Sequence, residues 1–477
     1  MIILISSKIS QKNIHASLGK PEYSYFFLMK DFLPVLERIG TVIQAQTREE
    51  VETLYSHHSA RGEQVIFLSV SPPHQTPLGL DCPTVSLFAW EFDSLPAKAW
   101  DEDQQNDWGY VFSLIHGAIC TSREAAQLVV GASRHDFPVV SLPAPVWDRY
   151  AHLGAQEGWA FEAEKRQFGF FGTIIDSPML GLSADGLVRK ADAGAAAEQA
   201  AEKPSVCRAR PRIGLRSALR LSVTMLRSWL GEMRNPGKPA ASSASKGKLQ
   251  KVSVAGVVYC TVLNPADGRK NWADIVTAFC WAFRDRSDAT LIVKMTHHDL
   301  EYYRVVLLTL LSRLSPFKCR VLVLHGFLED EQYQQLIKAS TFYVNASTGE
   351  GLCLPLMEFL SSGKPAIAPA HTAMADYLDP NSSFILRTCL EPACWPHDPT
   401  GMLLTRKHRL NWQSLMEAFR DSYELAKGQP QRYRDMSRAA RQQMKEFASI
   451  ERVAEPLEVF LQAVLSSQSK AKQENLQ

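Results

Sequence analysis

The sequence predicts an α/β protein of two domains, each built around a parallel β-sheet with helices on its faces. The chain has 477 residues, and because domains average roughly 150 residues, more than one is expected. Short apolar runs alternate with amphipathic helical stretches in two separate zones, and a zone of low complexity lies between them.

The first zone, residues 1–175, predicts the N-terminal domain. Six apolar runs indicate strands, and they read MIILIS, TVIQAQ, QVIFLSV, TVSLFAW, GAICTS and FPVVSLPAP. Amphipathic stretches such as 23–39 and 123–130 lie between these runs. A strand followed by a helix, repeated several times, is typical of a parallel sheet.

Residues 176–250 interrupt this alternation. The stretches ADAGAAAEQAAEKP and GKPAASSASKGK are rich in Ala, Ser, Lys, Gly and Pro, which indicates a linker or insertion. Within it, residues 212–234 place five arginines beside an apolar arc that contains Trp229 when they are drawn as a helix. Such a helix either lies on an anionic membrane surface or packs on its own protein, or the segment is a poorly ordered insertion.

The second zone, residues 251–430, predicts the C-terminal domain. Its apolar runs read SVAGVVYCTVL, ATLIVKM, CRVLVLHGF, STFYVNAS and KPAIAPA, and a plausible helix follows each of them. Residues 431–466 indicate further helices, and we expect a disordered tail over 467–477.

Composition and charge exclude several classes of protein. The 52 Lys and Arg residues nearly balance the 50 Asp and Glu residues, which argues against a nucleic-acid partner. No stretch approaches the roughly 20 apolar residues that span a bilayer, so we expect any membrane contact to be peripheral. The nine cysteines form no Cys-x-x-Cys pair, and reduced thiols in a cytoplasmic protein are expected.

The stretch GEGLCLPLMEFLSSGKP, residues 349–365, predicts a loop that leads into a helix. Its glycines allow the backbone to approach a ligand closely. Pro355 suits the first helical position, and Gly363 is expected to end the helix.

This loop also carries groups that suit a sugar nucleotide. The N–H groups of Gly351, Leu352 and Cys353 would surround a helix N-terminus, which attracts anions. Glu350 would accept hydrogen bonds from sugar hydroxyls, and Glu358 would bind a vicinal diol such as a ribose. The alternative is that both glutamates only complement the helix dipole.

A second stretch, LNPADGRKNWADIVTAF at residues 263–279, follows another predicted strand. Its PADG segment predicts a turn, and Arg269 and Lys270 come directly before a predicted helix. Two cations at a strand end can neutralise a diphosphate leaving group. An Arg-Lys pair of this kind is also common on solvated surfaces.

Together these stretches resemble the retaining GT-B-fold glycosyltransferases of the group 1 family. The hallmark of that family is a Glu, seven residues and a second Glu in the C-terminal domain, and Glu350 and Glu358 match this spacing. The resemblance implies two Rossmann-like domains that face a cleft, with residues 1–175 on the acceptor side and residues 251–430 binding the nucleotide sugar. It also implies that the C-terminal helices cross back to the N-terminal domain.

The resemblance assigns roles to the residues of both stretches. It implies that Arg269 and Lys270 hold the donor diphosphate, with help from the N–H groups of residues 351–353. Glu350 would contact the transferred sugar as a catalytic residue, and Glu358 would hold the nucleoside ribose. No metal ion is implied, since the cations and the helix dipole replace it.

Further candidates are less specific. Lys294 ends a predicted strand and either faces the phosphates or is a surface charge, and Gly19 either lies near the diphosphate or forms a plain turn. Glu91 stands where related enzymes often have a histidine, so it is either a catalytic residue that orients the acceptor or a structural one. Trp90 is either a platform on which a sugar stacks or, as we expect, part of the core, and the acidic run at 101–103 is expected to be solvated.

The activity that the resemblance implies is sugar transfer by a hexosyltransferase-like enzyme, with retention of configuration. The donor is a nucleotide diphosphate sugar, used as a co-substrate without a cofactor, and the acceptor is a glycan or a lipid-linked sugar. We expect a role in cell-surface polysaccharide synthesis, in the cytoplasm or on the inner face of the membrane. A catalytically silent GT-B protein that binds glycan or nucleotide, and a nucleotide-sugar epimerase, are the alternatives.

Overall fold

The computed structural model describes residues 1–7, 23–154, 158–180, 249–297, 299–395 and 403–474. Two predictions, the place of Gly19 near the diphosphate or in a plain turn and the basic helix over 212–234, concern residues outside the described ranges. The described strands are β1 Ile2–Ser6, β2 Thr41–Gln44, β3 Val65–Val70, β4 Thr84–Phe88, β5 Gly117–Cys120, β6 Val139–Ser141, β7 Arg166–Phe170, β8 Thr173–Asp176, β9 Gln250–Val254, β10 Val257–Leu263, β11 Ala289–Met295, β12 Arg320–His325, β13 Phe342–Val344, β14 Ala366–Pro369, β15 Ser383–Leu386, β16 Thr388–Cys394 and β17 Leu404–Leu410.

Among the described α-helices, α2 (Arg48–Ser59) and α4 (Arg123–Ala132) both begin at side-chain caps. Thr47 accepts a hydrogen bond from the amide of Glu50, and Ser122 accepts one from the amide of Ala125. The helices are α1 Tyr23–Ile39, α2 Arg48–Ser59, α3 Trp108–Leu114, α4 Arg123–Ala132, α5 Trp147–Tyr150, α6 Trp272–Ala282, α7 Leu300–Leu314, α8 Asp330–Ala339, α9 Leu354–Ser361, α10 Trp412–Gly428, α11 Pro430–Ala448 and α12 Ile450–Glu474.

The N-terminal sheet contains all six strands that the apolar runs predict. Its order is β2-β1-β3-β4-β5-β6, and every pair of neighbours is parallel. Strands β3, β4 and β5 are buried along their whole length, as expected for a parallel sheet covered on both faces. The prediction of a parallel α/β domain here is confirmed.

The C-terminal sheet has seven strands in the order β15-β14-β13-β10-β11-β12-β8. All its neighbours are parallel except β8, which runs antiparallel to β12 at one edge. The strands β10 to β14 are the five that the second zone predicts. In both sheets the carboxyl ends of the parallel strands share one edge, where ligands of α/β proteins usually bind.

The predicted boundary at residue 175 is wrong. Strand β8 spans that residue and pairs with β12 of the C-terminal sheet, and β7, which precedes it, pairs with β9. The N-terminal domain therefore ends near residue 154. Hydrophobic periodicity shows where a strand lies along the chain, but it does not show which sheet the strand joins.

The C-terminal helices cross back to the N-terminal domain, as the resemblance implies. Helix α12 packs against α1, and its Phe460 and Val464 lie against Gly117 of β5. The amide of Ile450 donates to the Asp148 carboxylate at 2.6 Å. Because α12 continues to Glu474, the prediction of a disordered tail from residue 467 is wrong for most of its length. Within the described ranges, no helix is both long and apolar enough to cross a membrane.

Candidate functional site

The loop from residue 345 to residue 353 leads from β13 into α9 at the carboxyl edge of the C-terminal sheet. Cys353 adopts a left-handed conformation with φ of 64°, and helix α9 begins at the next residue, with Pro355 in its first turn. Gly363 has φ of 86° just after the helix, so the predicted glycine end is confirmed. The predicted loop and helix are therefore present.

Glu350 forms a buried ion pair with Lys270. The Lys270 Nζ lies 2.7 Å from both carboxylate oxygens, and Ser347 Oγ donates to one of them at 2.6 Å. Burial alone would raise the pKa of Glu350, but the charges of Lys270 and Arg269 and these hydrogen bonds lower it to about 2. Glu350 is therefore a fixed carboxylate at neutral pH.

Arg269 joins the two domains. Its guanidinium lies 2.7 Å from the carboxylate of Glu91 in the N-terminal domain and 2.7 Å from that of Asp267. Burial raises the pKa of Glu91, although the charges of Arg269 and Lys270 oppose that effect. In this cluster two cations face three carboxylates, the third being Glu350, so no positive charge is left over for an anion.

The glycines of the loop allow the N-terminal domain to approach, which differs from the expectation that they make room for a ligand. A Cβ atom added to Gly349 would lie 2.7 Å from the carbonyl oxygen of Glu91. One added to Gly351 would lie 2.8 Å from the amide of Trp90. Thr121 Oγ1 also donates to the Gly351 carbonyl at 2.7 Å. The backbone that follows β4 thus packs directly on this loop.

Three backbone N–H groups lie at the start of α9. Across the described part of the chain, the N–H groups of Gly351, Leu352 and Cys353 donate no hydrogen bond. Two other polar groups of these residues do accept hydrogen bonds: Tyr377 donates to the Leu352 carbonyl, and Asn345 donates to the Cys353 sulfur. The anion-binding role predicted for these N–H groups stays a prediction, and unpaired donors are the feature that it requires.

Glu358 lies in a separate hydrogen-bond network. Tyr333 Oη donates to one oxygen at 2.5 Å, and Tyr150 Oη, from α5, donates to the other at 3.2 Å. The side chain is 5% exposed, and burial raises its pKa. Both oxygens of Glu358 therefore have tyrosine partners, and a ribose would have to displace at least one of them.

Lys294 lies apart from this cluster. It is buried in the middle of the C-terminal sheet, with Val262 and Leu324 beside it on the neighbouring strands, and its Nζ donates to the Met295 carbonyl at 3.3 Å. No carboxylate pairs with it among the described residues, and burial lowers its pKa to about 7. The donor-binding role of Lys294 stays a prediction, while the alternative of a surface charge is wrong.

Trp90 is half-buried in a group of aromatic rings. Its ring lies 4.4 Å from Trp108 and 4.6 Å from Trp395, centroid to centroid. This supports the expectation that Trp90 packs in a core. The acidic run at 101–103 is exposed, as expected.

The hairpin of β16 and β17 is an element beside the site that sequence reasoning missed. It reaches from the C-terminal domain over the segment after β4, where Asp93 accepts hydrogen bonds from Thr405 Oγ1 and from the amide of Arg406, both at 2.7 Å. Trp395 stacks on Phe92 at 4.9 Å. The partners are about 300 residues apart in sequence, so no local pattern could indicate that they meet.

The same hairpin contacts the loop that bears Glu350 and its neighbour His371. His408 stacks on His371 with centroids 4.1 Å apart, and its amide donates to the Thr348 carbonyl at 2.9 Å. Burial lowers the pKa of His371 to about 3, so its ring is neutral at pH 7. The hairpin thus holds the segment that bears Glu91 and the loop that bears Glu350 in one arrangement.

Comparisons with known proteins support the fold. No protein-family model matches the chain, and no curated protein does. Among solved structures, α,α-trehalose 6-phosphate synthase from Burkholderia multivorans has a TM-score of 0.52 at 11% identity, over 99% of both chains. HepE from Anabaena, crystallised with UDP, has a TM-score of 0.51 at 10% identity, over 97% of this chain and 99% of its own. The chain therefore has the GT-B fold of two Rossmann-like domains, as predicted.

Proposed function

We propose that the protein is a retaining, metal-independent glycosyltransferase of the group 1 type, which transfers a sugar from a nucleotide diphosphate sugar to a glycan or lipid-linked acceptor. One observation carries the proposal: Arg269 and Lys270 meet the Glu350 loop and its unpaired N–H groups at the junction of the two domains. Cations and free backbone donors at a helix N-terminus suit a diphosphate leaving group.

In this proposal each group has one task. Arg269, Lys270 and the N–H groups of residues 351–353 stabilise the charge that develops on the departing nucleotide diphosphate. Glu350 accepts hydrogen bonds from the transferred sugar, and Glu358 binds the ribose in place of a tyrosine hydroxyl. Glu91 orients the acceptor hydroxyl or stabilises the oxocarbenium-like transition state.

Donor binding then requires the ion pairs to change. The diphosphate needs a positive surface, but Arg269 is paired with Glu91 and Asp267. Because Glu91 belongs to the other domain, a small separation of the domains frees Arg269, and closure on the bound donor excludes water. We propose that the observed arrangement is the closed state without donor.

The cellular setting is proposed from the same reasoning. The acceptor is part of a cell-surface polysaccharide, and the protein works in the cytoplasm or on the inner face of the membrane. An anionic surface would attract the basic residues of the 212–234 segment.

A donor panel tests the proposal. The protein is incubated with UDP-, GDP-, ADP- and dTDP-sugars, with and without a membrane and polysaccharide extract, and released nucleotide diphosphate is measured. Release that depends on the extract and is lost in Lys270→Ala and Glu350→Ala supports transfer. Arg286→Ala, which removes an exposed cation paired with Glu424, is the matched control.

The alternatives give different results. An epimerase converts the donor sugar without an acceptor and without releasing nucleotide diphosphate. A catalytically silent protein binds nucleotide or glycan but turns over none of the donors. Release that is unchanged in both Lys270→Ala and Glu350→Ala contradicts the assigned site.

A further inference from the structure

A small cavity lies at the amino ends of the C-terminal strands, whereas the loop that bears Glu350 follows a carboxyl end. Its walls come from the segment 159–166, which leads into β7, from residues just before β13 and β14, and from α11. The cavity measures about 10 Å³, which is room for about one water-sized particle. Its occupant is therefore a single water molecule or a small ion, at the other edge of the sheet from Glu350.

The wall of this cavity carries a surplus of positive charge. Three of its side chains are cations, Arg166, Lys338 and Lys364. The carboxylate of Glu162 is the single negative group in the wall, and that residue is exposed. Neither Arg166 nor Lys364 forms an ion pair with a carboxylate in the described part of the chain. Buried cations are costly unless negative charge and hydrogen bonds compensate them.

Lys364 is buried with little to compensate its charge. It directly follows Gly363, just beyond the end of α9, and is 3% exposed. Its Nζ lies 3.5 Å from the centre of the Trp159 ring and donates one long hydrogen bond, of 3.4 Å, to the Lys338 carbonyl. An ammonium group has three N–H donors. Burial and the charge of Arg166 lower the pKa of Lys364 well below its ordinary value, and a negative charge beside the ammonium would raise it again.

Arg166 supplies a second donor that lacks a partner. Its Nη2 donates to the Gly256 carbonyl at 2.5 Å, but its buried Nε donates to no group within the described ranges. A guanidinium keeps its charge at every pH near neutrality. A water molecule would satisfy these N–H groups, but it would not offset the charge of two cations. A small anion does both.

We infer that this cavity is a binding site for one monatomic inorganic anion such as chloride, held by the Lys364 ammonium and the Nε–H group of Arg166. The space is too small for phosphate or sulfate. The alternative counter-ion is the Glu162 carboxylate, whose charge acts on both cations. An anion that binds only the folded chain stabilises it by mass action.

Thermal unfolding of the full chain tests the inference. Chloride is raised from about 1 mM to about 100 mM in exchange for gluconate, so that the ionic strength stays constant. A site that is half filled at about 10 mM would favour the folded chain about tenfold more at the upper concentration. We therefore expect the melting temperature to rise by about 2 °C or more, and bromide should act in the same way.

Two variants of the wall and one control assign the effect to the cavity. Lys364→Met removes the ammonium but keeps an unbranched side chain, and it should abolish the chloride-dependent rise. Arg166→Gln removes the guanidinium charge and should reduce the rise. Lys318→Met changes an exposed lysine of the same domain outside the cavity wall and should leave the rise unchanged.

The contrary results are equally specific. The inference is overturned if chloride does not raise the melting temperature of the unmodified chain, or if it raises that of Lys364→Met equally. A rise that appears only in Glu162→Gln also overturns it, because the Glu162 carboxylate is then the counter-ion. If Lys364→Met does not fold, equal broadening of the chloride NMR signal by the unmodified chain and by Arg166→Gln overturns it. None of these measurements uses a sugar donor or an acceptor, so their outcome is independent of the proposed transferase activity.

Discussion

Replacing Glu91 with Gln should strengthen nucleotide diphosphate binding and weaken sugar transfer. The Glu91 carboxylate lies 2.7 Å from the Arg269 guanidinium, and about a fifth of each side chain is exposed. A diphosphate must compete with this carboxylate for the same cation. Glutamine keeps the size and much of the hydrogen bonding of the side chain but removes its charge.

The size of the effect follows from how far the pair is shielded from water. Exposed ion pairs contribute ~0.2–1 kcal/mol, while close pairs in desolvated interfaces show coupling of ~1.5–7 kcal/mol. The Arg269–Glu91 pair lies between these cases, so we take about 1–2 kcal/mol for the competition that the substitution removes. Because 1.4 kcal/mol is a factor of ten, UDP or GDP should bind about 5–30-fold more tightly.

Turnover should change in the opposite direction. If Glu91 orients the acceptor or assists proton transfer, its loss should lower the transfer rate by about 10²–10⁴-fold. Burial raises the pKa of Glu91, so lowering the pH should neutralise it and tighten nucleotide binding in the unmodified chain more than in Glu91→Gln. The nucleotide itself also titrates, but it does so equally in both experiments, so comparing the pH dependence of binding in the two chains cancels that contribution.

Isothermal titration calorimetry with UDP and GDP, and the release assay with the active donor, measure both effects. Glu124→Gln is the control, since Glu124 is another partly buried carboxylate of the N-terminal domain whose pKa burial raises. Nucleotide affinity that is unchanged or weaker in Glu91→Gln would refute the competition between Glu91 and the diphosphate.

Three further predictions concern stability and the domain junction. The lowered pKa of Glu350, about 2 against an ordinary 4.5, should stabilise the fold by about 3 kcal/mol at neutral pH, and this stabilisation should be lost as the pH falls from 4.5 towards 2. In urea unfolding, Glu350→Gln should therefore lose about 3 kcal/mol less stability on acidification than the unmodified chain, and an equal loss in both chains contradicts the prediction. The lowered pKa of Lys294, about 7 against 10.5, makes the folded chain less stable as the pH falls from 10.5 to 7. Lys294→Met should therefore raise the free energy of unfolding at pH 7 by about 2–5 kcal/mol, and if nucleotide affinity does not change, the donor role of Lys294 is excluded. Asp93→Asn should weaken the hold on Thr405 and Arg406 and speed amide hydrogen exchange in β17 by about tenfold, or about 1.4 kcal/mol. Glu417→Gln, which changes an exposed carboxylate of α10 paired with Arg387, is the control, and unchanged exchange in Asp93→Asn is the contrary result.

Local pattern was sufficient to predict most of the parallel strands in both domains, but not β15 or the β16–β17 hairpin. The six N-terminal strands, the five strands β10 to β14, and the loop, helix and glycine end around Glu350 are read from apolar periodicity and from the positions of Pro355 and Gly363. These signals depend on residues only a few positions apart, so they can be read from a single sequence.

The sequence predicted the positions of the two site glutamates but not the residues that they contact. The spacing of Glu350 and Glu358 placed them on one loop and one helix, but it did not show their partners. Glu350 pairs with Lys270, whereas Glu358 is held by two tyrosines, one of them from the N-terminal domain. Which hydrogen bonds a buried carboxylate makes depends on the neighbours that packing brings to it.

The sequence by itself determined two α/β domains and a loop that combines glycines, glutamates and a helix start. Only the tertiary structure decided that β8 belongs to the second sheet, that Gly349 and Gly351 admit the backbone of the other domain, and that the β16–β17 hairpin fastens the two together. The physical reason is distance along the chain. Contacts between residues hundreds of positions apart are selected by shape and by the need to pair buried polar groups, and neither leaves a periodic mark in the sequence.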